Sequence, residues 1–220
     1  MTFKGWPDAA LEFYVGLEAD NSKAYWQSHR ATYDECVRAP FLELSSVVER
    51  EFGTLHVFRP NRDTRFSKDK TPYKTAAAAV TESEGGAAYY VQISAEGLYV
   101  GSGYYHLESD QLQRFRDAVA DTRTGPRLAS AVDALRAKKY EVAARASLKR
   151  APRGIDPSHP RVELLRMKGI HVGRLYAAPR WLHTAGASAR VVAAWRDAAL
   201  VNRWLDRNVG PSTRAPSEPE

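Results

Sequence analysis

The stretch Tyr89-Tyr90-Val91-Gln92-Ile93-Ser94-Ala95-Glu96-Gly97-Leu98-Tyr99-Val100-Gly101-Ser102-Gly103-Tyr104-Tyr105 decides the fold class. Its first six residues alternate and are rich in β-formers, which predicts a strand. Ala95-Glu96-Gly97 reads as a short hairpin loop with glycine in the left-handed position, and residues 98–105 form the returning strand. Just upstream, Ser83-Glu84-Gly85-Gly86 marks a turn. Residues 73–81 before it read as a third strand, or equally as a helix, because Ala76 to Ala79 favour helical backbone. An antiparallel meander results.

Helical spacing dominates on both sides of this meander. Pro7 suits the first position of a helix, where its missing N–H costs nothing. Ala10, Phe13, Tyr14 and Leu17 then recur on one face. Asp20-Asn21-Ser22 breaks the pattern and offers an N-cap to a second helix carrying Trp26, Arg30, Tyr33 and Val37. Pro40 should kink or interrupt that helix, since it removes a backbone donor. Phe41, Leu44, Val47 and Val48 resume the face, and Gly53 ends it. Leu112, Phe115 and Val119 predict a helix over 110–120, and Leu128, Val132 and Leu135 another after Gly125-Pro126. Pro160 opens a short helix through Leu164 and Leu165, and residues 170–176 return as a strand. Val191, Trp195, Ala198, Val201 and Leu205 define one final amphipathic helix. The expected fold is α+β: an antiparallel β-sheet meander covered by helices from the N- and C-terminal parts of the chain. Residues 1–209 are expected to form a single domain. Residues 210–220, with Pro216, Pro219 and no apolar pattern, are expected to be a disordered tail.

The composition is that of a globular protein: of 220 residues, 44% are hydrophobic and 26% charged, enough for a core without disulfides. No run of about 18 apolar residues predicts a membrane span, and the first residues lack the apolar segment of a signal peptide. With Cys36 as the single cysteine, an internal disulfide is excluded and a reducing cytoplasm is expected. The net charge of +6 is unevenly spread. Residues 1–52 carry five basic and nine acidic side chains, residues 59–74 six and two, and residues 145–174 eight and two. Two basic segments on an otherwise balanced chain favour an anionic partner.

The sharpest chemical feature is the run from Arg59 to Lys74. Arginine presents a planar fork that matches carboxylate or phosphate bidentately. Interleaved aspartates hold such forks in place, so that less entropy is lost when a ligand binds. Arg59, Arg62, Arg65, Asp69, Lys70, Tyr73 and Lys74 are the candidate ligand-binding residues of this run. The competing reading is an internal ion-pair network. In a second block Lys23, Trp26, Arg30 and Tyr33 can share one helix flank, with His29 beside them; the competing reading makes Trp26 and Tyr33 core and leaves the charges solvated. A third, the proline-stiffened loop over 148–160 with Lys168 beyond it, adds Arg150, Arg153 and Lys168. If the protein is a catalyst, Asp63 or His159 is the candidate proton acceptor. No Walker-type phosphate loop, dinucleotide fingerprint, zinc-protease helix or nucleophile elbow is present. The six histidines lack ligand spacing, so a metal site could arise only through contacts in the fold; no metal ligand and no cofactor is assigned.

The central run resembles the hallmark R-x-x-R-D-x-R-F-x-x-[DN]-K-x-x-Y of a bacterial and fungal domain-of-unknown-function family. Arg59, Arg62, Asp63, Arg65, Phe66, Asp69, Lys70 and Tyr73 match it position by position. Asn21, Lys23, His29, Arg30 and Tyr33 upstream are similar too, as are Lys149, Arg150, Pro152, Arg153, Gly154, His159, Pro160 and Lys168 downstream. The departures are local: Tyr25-Trp26 and Ile155. The resemblance implies a family identity and no activity. The residues themselves lead to binding of a small anionic ligand, carrying phosphate or carboxylate, with enzymatic processing as an extension. A non-enzymatic nucleic-acid-binding module and a structural protein with internal Arg–Asp ties are the alternatives. No membrane partner is expected, and the oligomeric state is open.

Overall fold

The computed structural model describes residues 2–65, 67–83 and 85–213. It is an α+β fold with a six-stranded antiparallel sheet. The strands are β1 (His56–Val57), β2 (Ala76–Glu82), β3 (Ala88–Ser94), β4 (Gly97–Tyr104), β5 (Glu141–Ala143) and β6 (Ile170–Tyr176). Their order is β1-β2-β3-β4-β6-β5. The deciding hairpin is present as expected, and Gly97 at its turn has φ +118°, a conformation that a side chain disfavours. The segment Ala76–Glu82 resolves as strand, not helix. Its buried alanines belong to a ladder, with His56 opposite Val80 and Val57 opposite Ala79. Pairing in the sheet therefore overrides the intrinsic preference of the alanines.

Chain contacts divide the molecule into two compact units. Of the described residues, the first comprises those within 1–81, Tyr90–Val100 and Leu175–Ala193; the second comprises those within 82–89, Gly101–Arg174 and those within 194–220.

In the first unit, α1 (Asp8–Ala19) buries Ala10, Phe13, Tyr14 and Leu17, with Pro7 as the residue before its first turn. Then α2 (Lys23–Ser28) is capped by the Ser22 hydroxyl, which accepts from the Tyr25 N–H. The helix expected to run on through Val37 is broken. His29 leaves helical geometry, α3 (Arg30–Thr32) follows, and Tyr33–Arg38 forms a π-helical turn before α4 (Ala39–Phe52). Pro40 accounts for the π-helical turn. Without an N–H it cannot continue the ordinary ladder, and the Ala39 N–H bonds back five residues to the Asp34 carbonyl. Proline then sits harmlessly in the first turn of α4. The core of this unit is aromatic. Trp6 meets Phe3 and Phe41 edge-on at 5.2 and 5.1 Å, and Phe13 meets Trp26 at 5.6 Å.

In the second unit, α5 (Ser109–Ala120) starts with a capping box in which Gln111 accepts from the Glu108 N–H. Helix α6 (Gly125–Ala137) buries Leu128, Val132 and Leu135, and α7 (Val162–Arg166) is the short helix foreseen after Pro160. The expected final helix is split at Ala198 into α8 (Gly186–Asp197), whose residues up to Ala193 belong to the first unit, and α9 (Ala199–Asn208) of the second. The apolar spacing survives because the Ala198 and Asn202 N–H groups still bond four residues back. Near the end of α9, the Asp206 carboxylate accepts from Ser83 Oγ at 3.0 Å, the Ala87 N–H at 3.1 Å and Tyr104 Oη at 3.1 Å. Residues 210–213, which the sequence placed in a disordered tail, are fastened to α5. Arg114 donates to the Val209 and Pro211 carbonyls, and Asp110 accepts from Ser212 and Thr213. Residues 214–220 lie outside the described residues.

Candidate functional site

The charged motif folds into a loop whose ends are pinned together. Asn61 and Tyr73 form an antiparallel bridge. The Arg62 N–H donates to the Pro72 carbonyl and the Lys74 N–H to the Pro60 carbonyl, both at 2.9 Å. Asn21, in the first block, fastens the same point from outside. Its Nδ2 donates to the Tyr73 carbonyl at 3.0 Å and its Oδ1 accepts from the Tyr73 N–H at 3.1 Å. A side-chain amide thus satisfies both backbone groups of one residue, as a neighbouring strand would.

Inside the loop most charges are spoken for. Arg62 is ion-paired with Asp69 and donates to Thr71 Oγ1. Asp69 also accepts from the Thr71 N–H and hydroxyl. Arg65 grips both oxygens of Asp63 at 3.0 and 2.7 Å, with 76% of its side chain exposed. The Arg65 guanidinium and backbone N–H hold the Asp63 carboxyl down at about 2. A carboxylate so stabilised is a poor proton acceptor near neutrality. Lys70 donates to the Thr64 carbonyl at 2.9 Å. Tyr73 is buried and stacked on Trp26. His29 stacks on Tyr25, with one ring nitrogen 2.9 Å from the Tyr25 carbonyl. Phe66 lies outside the described residues.

The less neutralised charges face a cleft of about 570 Å³ in the first unit. Its lining brings Arg59 and Lys74 of the motif together with Arg30, Tyr33, Asp34 and Arg38 of the helical segment and His56 of β1. Arg30 is paired with Asp34 at 2.8 Å. Arg38, Arg59 and Lys74 have no carboxylate within ion-pair distance among the described residues. Lys74 lies 5.4 Å from the Phe58 ring centroid, and burial together with the Arg59 charge pushes its ammonium below the ordinary lysine value. Burial raises the Tyr33 phenol, against the pull of Arg38 and Arg30. A smaller depression of about 500 Å³, sharing Lys74, is lined by Arg62, Asp63, Ser67 and Asp69.

The third block belongs to the second unit. Arg150, Arg153 and Lys168 are exposed there. The loop is closed by a Ser147–Met167 bridge and by Arg166, which donates to the Leu148 carbonyl at 2.7 Å. Nδ1 of His159 accepts from the Arg161 N–H at 3.1 Å. That lone pair is engaged in holding the entry to α7 and is not open to a substrate proton. Among the described residues no group of three His, Cys, Asp or Glu side chains is arranged to hold a metal ion.

Sequence reasoning missed Arg38, Asp34 and His56. Arg30, Asp34 and Arg38 follow one another at intervals of four, a signal present in the sequence. His56 carries no such signal, because a two-residue strand has no periodicity to read.

Fold and site together describe an α+β protein with a basic cleft walled by a helical segment and a pinned loop. The chain belongs to the conserved hypothetical protein family DUF2461, whose family model matches residues 9–204. No curated protein and no solved structure matches it.

Proposed function

We propose that the protein binds a small phosphate- or carboxylate-bearing ligand in the cleft formed by Arg38, Arg59 and Lys74. One observation carries the reading: four cations line this cleft against a single carboxylate, which Arg30 already engages. A half-buried ammonium beside an arginine is destabilised by that neighbour and by lost hydration, and an anion relieves both. Two guanidinium forks and an ammonium suit a compact, multiply charged group. Tyr33 and His56 add donors or acceptors that fix its orientation. The pairs Arg62–Asp69 and Arg65–Asp63 support the structural alternative for those four residues, as ties that shape the loop. No chemical step is assigned, since Asp63 is held as a weak base.

The test is calorimetric titration of the full chain with inorganic phosphate, pyrophosphate, nucleoside triphosphates and short dicarboxylates. Binding by at least one of them is expected, with about a tenfold or greater loss in Arg59→Ala and in Lys74→Gln while both variants melt cooperatively. Binding unchanged in both variants, or no binding by any of these anions, overturns the reading. A single-stranded oligonucleotide bound more tightly than every small anion, with a log–log salt slope beyond about −4, also overturns it, in favour of a nucleic-acid module.

A further inference from the structure

The second unit holds a groove of about 570 Å³ between α6 and α9. Its residues lie at helical spacing on both walls. Arg127 and Ala131 stand one turn apart on α6; Leu200, Arg203, Trp204 and Arg207 recur at three, one and three on α9. Each helix thus turns one stripe toward the groove, and the two stripes carry three guanidinium groups and no acidic side chain. Arg127, Arg203 and Arg207 have no carboxylate within ion-pair distance among the described residues. Leu200 is 60% exposed. Trp204 is locked in place: its Nε1 donates to the Thr124 carbonyl at 2.9 Å and its ring meets Phe115 edge-on at 6.1 Å.

We propose that this groove docks an acidic, amphipathic segment of a partner protein. Its carboxylates would meet Arg127, Arg203 and Arg207, and one apolar side chain would cover Leu200 against the Trp204 edge. Charge complementarity selects the occupant. Three exposed cations with no carboxylate within ion-pair distance among the described residues favour an anionic chain, and exposed leucine beside them favours one that also brings apolar surface. Nucleic acid fits less well. Trp204 is 8% exposed and its ring is committed to Phe115, so it offers no open face for a base to stack on. A free small anion would leave Leu200 in water. The groove shares no residue with the cleft of the first unit, so the two proposals stand or fall separately.

Fluorescence polarisation of the full chain with labelled peptides tests it. The probes are a set of helical peptides in which Asp and Glu surround one Leu or Phe, with partners that replace the apolar residue by Ser or the acids by Gln and Asn. Acidic peptides with the apolar residue are expected to bind, and both replacement series to weaken by about tenfold or more. Binding should fall as salt rises, because the charges are exposed. The double variant Arg203→Glu/Arg207→Glu should lose binding, and Arg59→Ala, in the other unit, should keep it. Should the double variant fail to melt cooperatively, Arg127→Glu on the opposite wall serves in its place. The proposal is overturned if no peptide of the set binds below about 1 mM, or if charge reversal leaves binding intact. An oligonucleotide that binds more tightly than every peptide and loses binding in the same variants also overturns it.

Discussion

The indole of Trp26 and the phenol ring of Tyr73 lie parallel, with centroids 4.2 Å apart and planes 10° from each other. Trp26 belongs to α2, and Tyr73 closes the charged loop. The stack therefore joins the helical wall of the cleft to the loop that carries Arg59 and Lys74. Tyr73 is also almost fully buried. Replacing it by alanine removes the ring contact and leaves a cavity, a change that costs about 3 kcal/mol or more for a buried aromatic. Tyr73→Ala should lower the free energy of unfolding by that order in a urea titration, while Tyr73→Phe should stay close to the parent. Equal losses in both variants would shift the weight from the ring to the hydroxyl.

Asn21 makes a second tie at the same place, through two hydrogen bonds to the Tyr73 backbone. Asn21→Ala leaves a half-buried donor and acceptor unmatched, at about 1–2 kcal/mol. The loop between carries Arg62, Arg65, Lys68 and Lys70, all cleavable by trypsin. Limited proteolysis should cut this loop faster in Asn21→Ala than in the parent, at those residues first. An unchanged cleavage rate would show that the Asn61–Tyr73 bridge holds the loop by itself.

The C-terminal segment yields a prediction contrary to its composition. Asp110 accepts from Ser212 and Thr213 and is paired with Arg114, which also holds the Pro211 carbonyl. These bonds, first among them that from the Thr213 N–H, draw the Asp110 carboxyl well below the ordinary aspartate range. A chain ending at Gly210 should melt about 2–4 °C lower than one ending at Thr213. Identical melting temperatures would show that the segment rests on α5 without stabilising it.

His171 on β6 should make stability fall in mild acid. Burial pushes its imidazole below the ordinary value of 6.5, with Glu141 pulling the other way, and its Nδ1 is buried without a hydrogen-bond partner among the described residues. The unfolded chain takes up this proton near pH 6.5, whereas the folded chain resists it until lower pH. The contribution is thus fully present above about pH 6.5 and is lost as pH falls from there toward the folded value. Melting curves between pH 8 and pH 5 should fall more steeply for the parent than for His171→Gln. Parallel curves would contradict a buried neutral His171.

The hairpin around Gly97 was legible because alternation and a turn residue agree there. Ala76 to Ala79 were not, because alanine's helical preference and its fitness for a crowded ladder point in opposite directions. The π-helical turn before Pro40 was half legible, since proline announced an interruption but not its form; the break at His29 was not legible, because the apolar spacing runs straight through it. Strands β1 and β5 are too short to leave a pattern. At the site, the motif drew attention to the right loop, yet within it the pairs Arg62–Asp69 and Arg65–Asp63 turn side chains toward each other. Which charges remain unneutralised depends on Arg38 and Asp34, contributed by a distant helical segment. The α6–α9 groove was invisible for the same reason, since Arg127 on one wall and Arg203 on the other lie 76 residues apart in sequence.

The Asn61–Tyr73 bridge gives the charged loop a property useful to both evolution and engineering. Its ends are joined at one point, so the chain beyond them can be lengthened without moving the strand that follows. Doubling such a loop costs only about 0.6 kcal/mol in closure entropy. New residues inserted near Ser67 would alter what meets the Lys74 side of the cleft while Trp26, Tyr73 and Asn21 keep the stem in register. The segment is a replaceable fingertip on a fixed knuckle, and a library of insertions there would vary its length and chemistry with little loss of folding stability.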